Sequence, residues 1–151
     1  MTDTAATEMI HSLVPLCVTL GITADTAGPN EVVLSLDWAP NLCTGNDVLH
    51  GGIVMALADS SGAVCAFLNL PEGAGGTATI ESKTNFFRPL TMRAGTARGG
   101  SGPPGAATRS GTVKAHSYPL HIGKRVIVVE TEIRGDDGKL AAKTIQSQAV
   151  L

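Results

Sequence analysis

The first 82 residues contain no lysine or arginine, while nine of the thirteen acidic side chains fall there. The part before Lys83 therefore carries −9, and the rest, with eleven cations against four acids, carries +7, for a net charge of −2. No global basic field exists, which argues against nucleic acid as a partner. Cysteine is scarce as well: Cys17, Cys43 and Cys65 are odd in number, lack metal-ligand spacing and sit in apolar or mixed stretches, as buried free thiols do in a reducing cytoplasm. Only Asp3 and Glu8 precede the apolar run at 13–22, so a basic leader region is missing and no export signal is expected. The longest apolar stretch, 53–70, is interrupted by Asp59, Ser60, Ser61, Gly62 and Asn69, too polar for a membrane span, so a soluble protein is expected. Aromatic residues make up 3%; with many Ala, Val and Leu, this suits an apolar pocket without fixing its depth.

The last absence is local. From Arg93 to Thr112 there is no Val, Ile, Leu, Met or aromatic residue, and such a segment cannot supply a core strand. We read a flexible Gly/Pro-rich insertion at about 94–109 within one domain spanning 1–151. Ordering it would cost about 1–2 kcal/mol per residue with little burial in return. A variant joining Met92 to Ser110 is therefore expected to melt at the same temperature as the intact chain or higher.

What remains can build a core, since 43% of the chain is apolar and 16% charged. Residues 4–13 suit a short opening helix, after which Pro15 and β-branched residues argue for extended structure near Cys17. Past the turn Gly28-Pro29-Asn30, Val32, Leu34, Leu36 and Trp38 alternate with Glu31, Val33, Ser35 and Asp37, as in a half-buried strand. From His50-Gly51-Gly52 to Leu68 runs one long helix, apolar nearly all round, which must be covered on more than one side by a wrapping sheet. Ala78, Ile80, Thr84 and Phe86 alternate with Thr79, Glu81, Lys83 and Asn85, and Ile127, Val129, Thr131 and Ile133 alternate with Val128, Glu130, Glu132 and Arg134. Turns at 121–124 and 135–138 join segments 112–120, 125–134 and 139–150 into an antiparallel meander, so the fold class is α+β with one central helix.

Asp59 is the one charged residue from 51 to 70, and an unpaired buried carboxylate costs several kcal/mol. Either it faces water or a cation at a gap in the sheet, or it serves as a general base or nucleophile. Gly51 and Gly52, after His50 at the helix start, offer unpaired N–H groups, a positive dipole end and open access, the ingredients of an oxyanion site. Nine residues along one helix separate His50 from Asp59 by about 13 Å and about half a turn. If both serve one reaction centre, His50 and Gly51 of one subunit must meet Asp59 of another, which a two-fold dimer does twice.

Leu49-His50-Gly51-Gly52 followed by Leu57-Ala58-Asp59, the strand ending in Phe87-Arg88-Pro89, and Pro119-Leu120-His121-Ile122-Gly123 with the strand at 126–132 resemble the hotdog-fold acyl-CoA thioesterases. The closest type is the phenylacetic-acid-degradation and 4-hydroxybenzoyl-CoA thioesterase group, over roughly residues 10–150 apart from the insertion. The resemblance implies a long helix wrapped by an antiparallel sheet, homodimers with shared active sites that associate into tetramers, and hydrolysis of an acyl-CoA without metal or organic cofactor. It also implies roles: the Gly51 N–H polarises the thioester carbonyl, His50 orders that loop and the substrate with Gly52 beside it, and Asp59 of the facing subunit attacks or activates water. Two positions depart from the pattern. The Asn that many members carry six or seven residues before the His is replaced by Thr44 and Cys43, with Asn41 and Asn46 to either side. Arg88 stands where some members have a small hydroxyl, leaving Ser60, Ser61 and Thr84 as candidates to position water. Eight cations and no acid lie between Lys83 and Arg125; given CoA as ligand, Lys124, Arg125 and then Arg88 are candidate phosphate contacts, although the same run also fits a solvated basic face. A non-hydrolytic acyl-CoA or lipid-like binder on the same fold is the alternative, against which Asp59 argues; hydratase chemistry ranks below both.

Overall fold

The computed structural model describes residues 1–91 and 111–151. The expected insertion, and the effect of deleting it, lie outside the described residues.

Helix α1 (Thr4–Leu13) starts at Asp3, whose carboxylate accepts the Ala6 N–H at 3.0 Å. The expected change to extended structure at Pro15 does not occur. Pro15 instead opens a second helix, α2 (Pro15–Leu20), at the first helical position, where its missing N–H has no partner to lose. Gly21, with φ of 69°, ends it. Strands β1 (Thr23–Ala27) and β2 (Val32–Asp37) form a hairpin, helix α3 spans Gly51–Phe67, and β3 (Thr77–Phe86), β4 (Thr112–Ile122), β5 (Val126–Arg134) and β6 (Leu140–Val150) follow. All strand pairs are antiparallel, in the order β1-β2-β4-β5-β6-β3. The long helix over one concave sheet matches the expected α+β architecture, and Ile10, Ile22, Leu34, Leu57, Ile127 and Ile133 lie fully buried between them.

Two of the sheet's four register irregularities bear on the site. In β3, Thr79 pairs with Gln148 and Glu81 with Ser147, so Ile80 is the extra residue. Thr79 therefore shares the helix-facing side with Ser82, Thr84 and Phe86, whereas strict alternation assigns it to the opposite side, and Ile80 is turned out to solvent. In β4, Leu120 is the extra residue between Pro119 and His121. The strand then runs to Ile122, and the turn falls at Gly123-Lys124-Arg125 rather than at 121–124. A Cβ on Gly123 would stand 2.7 Å from the Val126 carbonyl, so this turn demands glycine.

Beneath α3 a row of hydroxyls crosses four strands in register, Ser117, Thr131, Thr144 and Thr84. Ser117 donates to Ser61 at 2.7 Å and lies 2.7 Å from Thr131, and Thr84 bonds Thr144 at 2.8 Å, which satisfies polar groups the core would otherwise penalise. Ser61 and Thr84 are thus committed to the core, and Ser60 is buried. Gly62, which costs a helix interior about 1 kcal/mol relative to Ala, lies over β6: a Cβ there would collide with Gln146 Oε1.

The sheet covers α3 on one side only. Met55, Asp59 and Phe67 stay exposed along the opposite face, contrary to the all-round cover that an apolar helix leads one to expect. Among the described residues, no helix is long and apolar enough to cross a membrane.

Candidate active site

His50 is the N-cap of α3, with extended φ and ψ of −62° and 134°, and its Nδ1 accepts the Gly52 N–H at 2.9 Å. An accepting Nδ1 places the neutral ring's proton on Nε2. A Cβ on Gly52 would stand 3.0 Å from that Nδ1, so glycine lets the ring lie against the helix start. Of the two glycine N–H groups, one is consumed by the cap, while the Gly51 N–H has no acceptor among the described residues. The loop is pinned by His50 N–H to the Leu42 carbonyl and Leu49 N–H to the Leu90 carbonyl, both 2.9 Å. The partner of His50 left open by the missing Asn is therefore its own helix.

Beside Gly51 opens a cavity of about 410 Å³, lined chiefly by Val48, Leu49, Val54, Phe86, Phe87 and Leu90. The Phe86 ring would lie 3.5 Å from a Cβ on Gly51, so the ring packs close to the first residue of the helix. An apolar pocket of this size next to an unengaged backbone donor has the chemistry to hold an apolar group that ends in a carbonyl.

Asp59 lies on the exposed face of the same helix. Its Oδ1 accepts from Gln146 Nε2 at 2.5 Å and from Thr79 Oγ1 at 3.3 Å, while Gln148 Nε2 donates to Thr79 Oγ1 at 2.8 Å. Oδ2 has no partner among the described residues. The carboxylate is thus fixed by one oxygen and presents the other. Thr79, Gln146 and Gln148 are the residues that sequence reasoning passed over. The bulge at Ile80 hides Thr79, but two glutamines on alternate positions of a strand's buried side were a visible signal.

Of the candidate phosphate contacts, Lys124 and Arg125 are exposed at the β4–β5 turn and make no ion pair among the described residues. The turn is tied to the end of β6 by the Val150 N–H on the Arg125 carbonyl at 2.9 Å, two residues beyond Gln148. It therefore lies at the Asp59 end of the sheet. Arg88 is already paired, with Asp137 at 3.3 Å. The structure leaves the helix N-terminus and Asp59 at separate stations of one helix, as the spacing requires.

The family model described as the thioesterase superfamily matches residues 46–98, which include both stations. A presumed esterase of Saccharolobus solfataricus is 33% identical over 121 residues, covering 80% of this chain and 72% of that protein. The chain belongs to the thioesterase superfamily. Its fold is the hotdog fold: a thioesterase of Haemophilus influenzae superposes with a TM-score of 0.77 at 24% identity, over 99% of this chain and 93% of that one. The PaaI protein of the E. coli phenylacetic acid degradation operon gives 0.76 at 17% identity, over 97% and 91%.

Proposed function

We propose that this member of the superfamily hydrolyses an aryl- or medium-chain acyl-CoA at sites each built from two subunits. The observation that carries the reading is the division of labour along α3: a free Gly51 N–H beside an apolar cavity, and a braced carboxylate with one open oxygen on an uncovered face. The thioester carbonyl accepts from Gly51 of one subunit while Asp59 of the facing subunit takes a proton from water, whose oxygen attacks the carbonyl carbon. The resulting oxyanion is held by the Gly51 N–H; its collapse breaks the C–S bond, and the thiolate recovers the proton from Asp59. In the covalent variant of this scheme, Oδ2 itself attacks the carbonyl carbon, the C–S bond breaks to release the thiolate, and water then cleaves the anhydride to the free acid and Asp59, its spare proton passing to the thiolate. General-base action supplies about 10²–10⁴-fold and one oxyanion donor about 2.7–4 kcal/mol, enough for a modest thioesterase rate.

The edge strand β3 and the outer face of α3 support a dimer, since Ile80, Phe86, Phe87, Met55 and Phe67 are all exposed there. Dimers of dimers complete the assembly. Cys17 and Cys65 are buried thiols, which suits a reducing cytoplasm. Turnover of aryl, medium-chain and long-chain acyl-CoAs, followed by release of the free thiol, tests the reading; no release from any of them overturns it.

The phosphates of CoA engage Lys124 and Arg125 in this reading. Reversing both to Glu is expected to raise KM about tenfold while kcat changes by less than about twofold, because contacts far from the carbonyl contribute uniform binding. Added salt reproduces the direction of the effect. Steady-state kinetics of the double variant check it; an unchanged KM places the phosphates elsewhere.

A further inference from the structure

We propose that Gln146 is a positioning residue for Asp59, and that Gly62 exists to let it reach the carboxylate. The proposal rests on the reading of Asp59 as base or nucleophile.

Gln146 is fully buried, on the helix-facing side of β6. Its Nε2 donates to Asp59 Oδ1 at 2.5 Å and approaches Thr79 Oγ1 at 3.3 Å, whereas its Oε1 is buried without a hydrogen-bond partner. The opposite amide orientation would set Oε1 against Oδ1, two acceptors facing one another. A long polar side chain with one orphaned buried atom is a poor choice for core packing alone. It is a good choice for carrying a donor from the sheet to a carboxylate on the exposed flank of the helix. The path runs under Gly62, where any Cβ would collide with Oε1. Two unfavourable choices, a glycine inside a helix and an orphaned amide oxygen, thus serve one outcome: Oδ1 is held and Oδ2 is aimed.

The environment makes this donor consequential. Near Asp59 the helix-facing positions are hydroxyls, amides and aliphatics, Thr79 and Ser82 of β3, Val129 and Thr131 of β5, and Gln148 of β6; Glu81 and Lys83 pair with the outward positions Ser147 and Ile145. Cys65, further along α3, has its thiol pushed up to about 11 by burial and is neutral in the working range. Lys124 and Arg125 stand exposed at the same end of the sheet, and in the proposed dimer His50 of the facing subunit adds a further titratable group.

The test uses the full-length protein, with kcat and KM of an acyl-CoA it turns over measured against pH. Gln146→Met keeps shape and removes both donor and orphan; kcat is expected to fall about tenfold with KM within about twofold, and the acidic limb to move to higher pH, since a hydrogen bond to a charged group is lost. Gln146→Glu places a second carboxylate beside the first, and its acidic limb should move up by at least about one pH unit, with activity recovering as pH rises. Gly62→Ala, which displaces the amide while favouring the helix, should share the upward shift. If Gln146→Met and Gln146→Glu keep the wild-type limb and kcat while Asp59→Asn is inactive, the role of Gln146 is refuted and that of Asp59 stands. If Asp59→Asn is itself active, the underlying reading fails. A lowered melting temperature with an unmoved limb assigns Gln146 to packing and overturns the proposal.

Discussion

Asp59→Asn is expected to lower kcat for acyl-CoA hydrolysis at least about a hundredfold, the low end of what a positioned general base contributes, and to leave the protein folded. Asn keeps a carbonyl oxygen where Oδ1 accepts from Gln146 and Thr79. What changes is the other oxygen: an amide nitrogen in place of Oδ2 neither takes a proton nor attacks a carbonyl. Because Asp59 is exposed on the described chain and pairs with no cation there, losing its charge removes no native ion pair. Surface changes of this kind fall within about 0.5 kcal/mol. Asp59→Ala should behave alike in kcat, with the amide of Gln146 left facing space. Retention of near-full activity by either variant, with melting temperatures unchanged, would remove Asp59 from the chemistry. KM separates the roles further, since a carboxylate that acts only in the transition state leaves KM nearly unchanged when neutralised.

The helix and the meander were legible because their signals are periodic or chemical. His50-Gly51-Gly52 marks the start of α3, and the alternation of Ile127, Val129, Thr131 and Ile133 is the burial pattern of β5. What escaped were the departures from period. A bulge adds one residue and inverts every later side chain, and nothing in the letters around Ile80 or Leu120 announces it. Thr79 was therefore assigned to the wrong side of β3, and with it went the bracket around Asp59. Pro15 misled for a different reason: proline both breaks helices and begins them, and the choice is settled by Val14, whose non-helical backbone (φ −131°, ψ 88°) ends α1 so that Pro15 can start α2. The apolar surface of α3 was legible, but not what covers it. In the described chain the sheet buries Val54, Leu57 and Cys65 and leaves Met55 and Phe67 to solvent. The hydrophobicity that implied a cover on several sides is that of a helix which the sheet covers on one side only.

In the proposed dimer the facing subunit supplies the second cover, and this makes the largest recovery experiment possible. Gly51→Pro removes the oxyanion donor with little disturbance: Gly51 is the first residue of α3, where proline is favoured, and His50 before it already has the extended backbone that a following proline imposes. On its own the variant is expected to lose about 10²–10³-fold in kcat, as loss of one oxyanion donor does. Asp59→Asn is inactive for the other reason. Within one subunit the two positions stand about 12 Å apart along the helix axis, since eight residues rise about 1.5 Å each, so neither defect can be repaired in place. In a mixed dimer one site combines the intact Gly51 of the Asp59→Asn subunit with the intact Asp59 of the Gly51→Pro subunit, and the other site carries both defects. Random exchange makes about half of the dimers mixed, each with one working site, so about a quarter of the wild-type activity should return from two nearly inactive proteins. Differently tagged subunits, co-expressed and purified through both tags as dimers separated from any tetramer, raise the expected recovery to about half. Failure of that doubly purified dimer to recover would place the Gly51 N–H and Asp59 in separate roles, and activity in a fully monomeric variant would do the same.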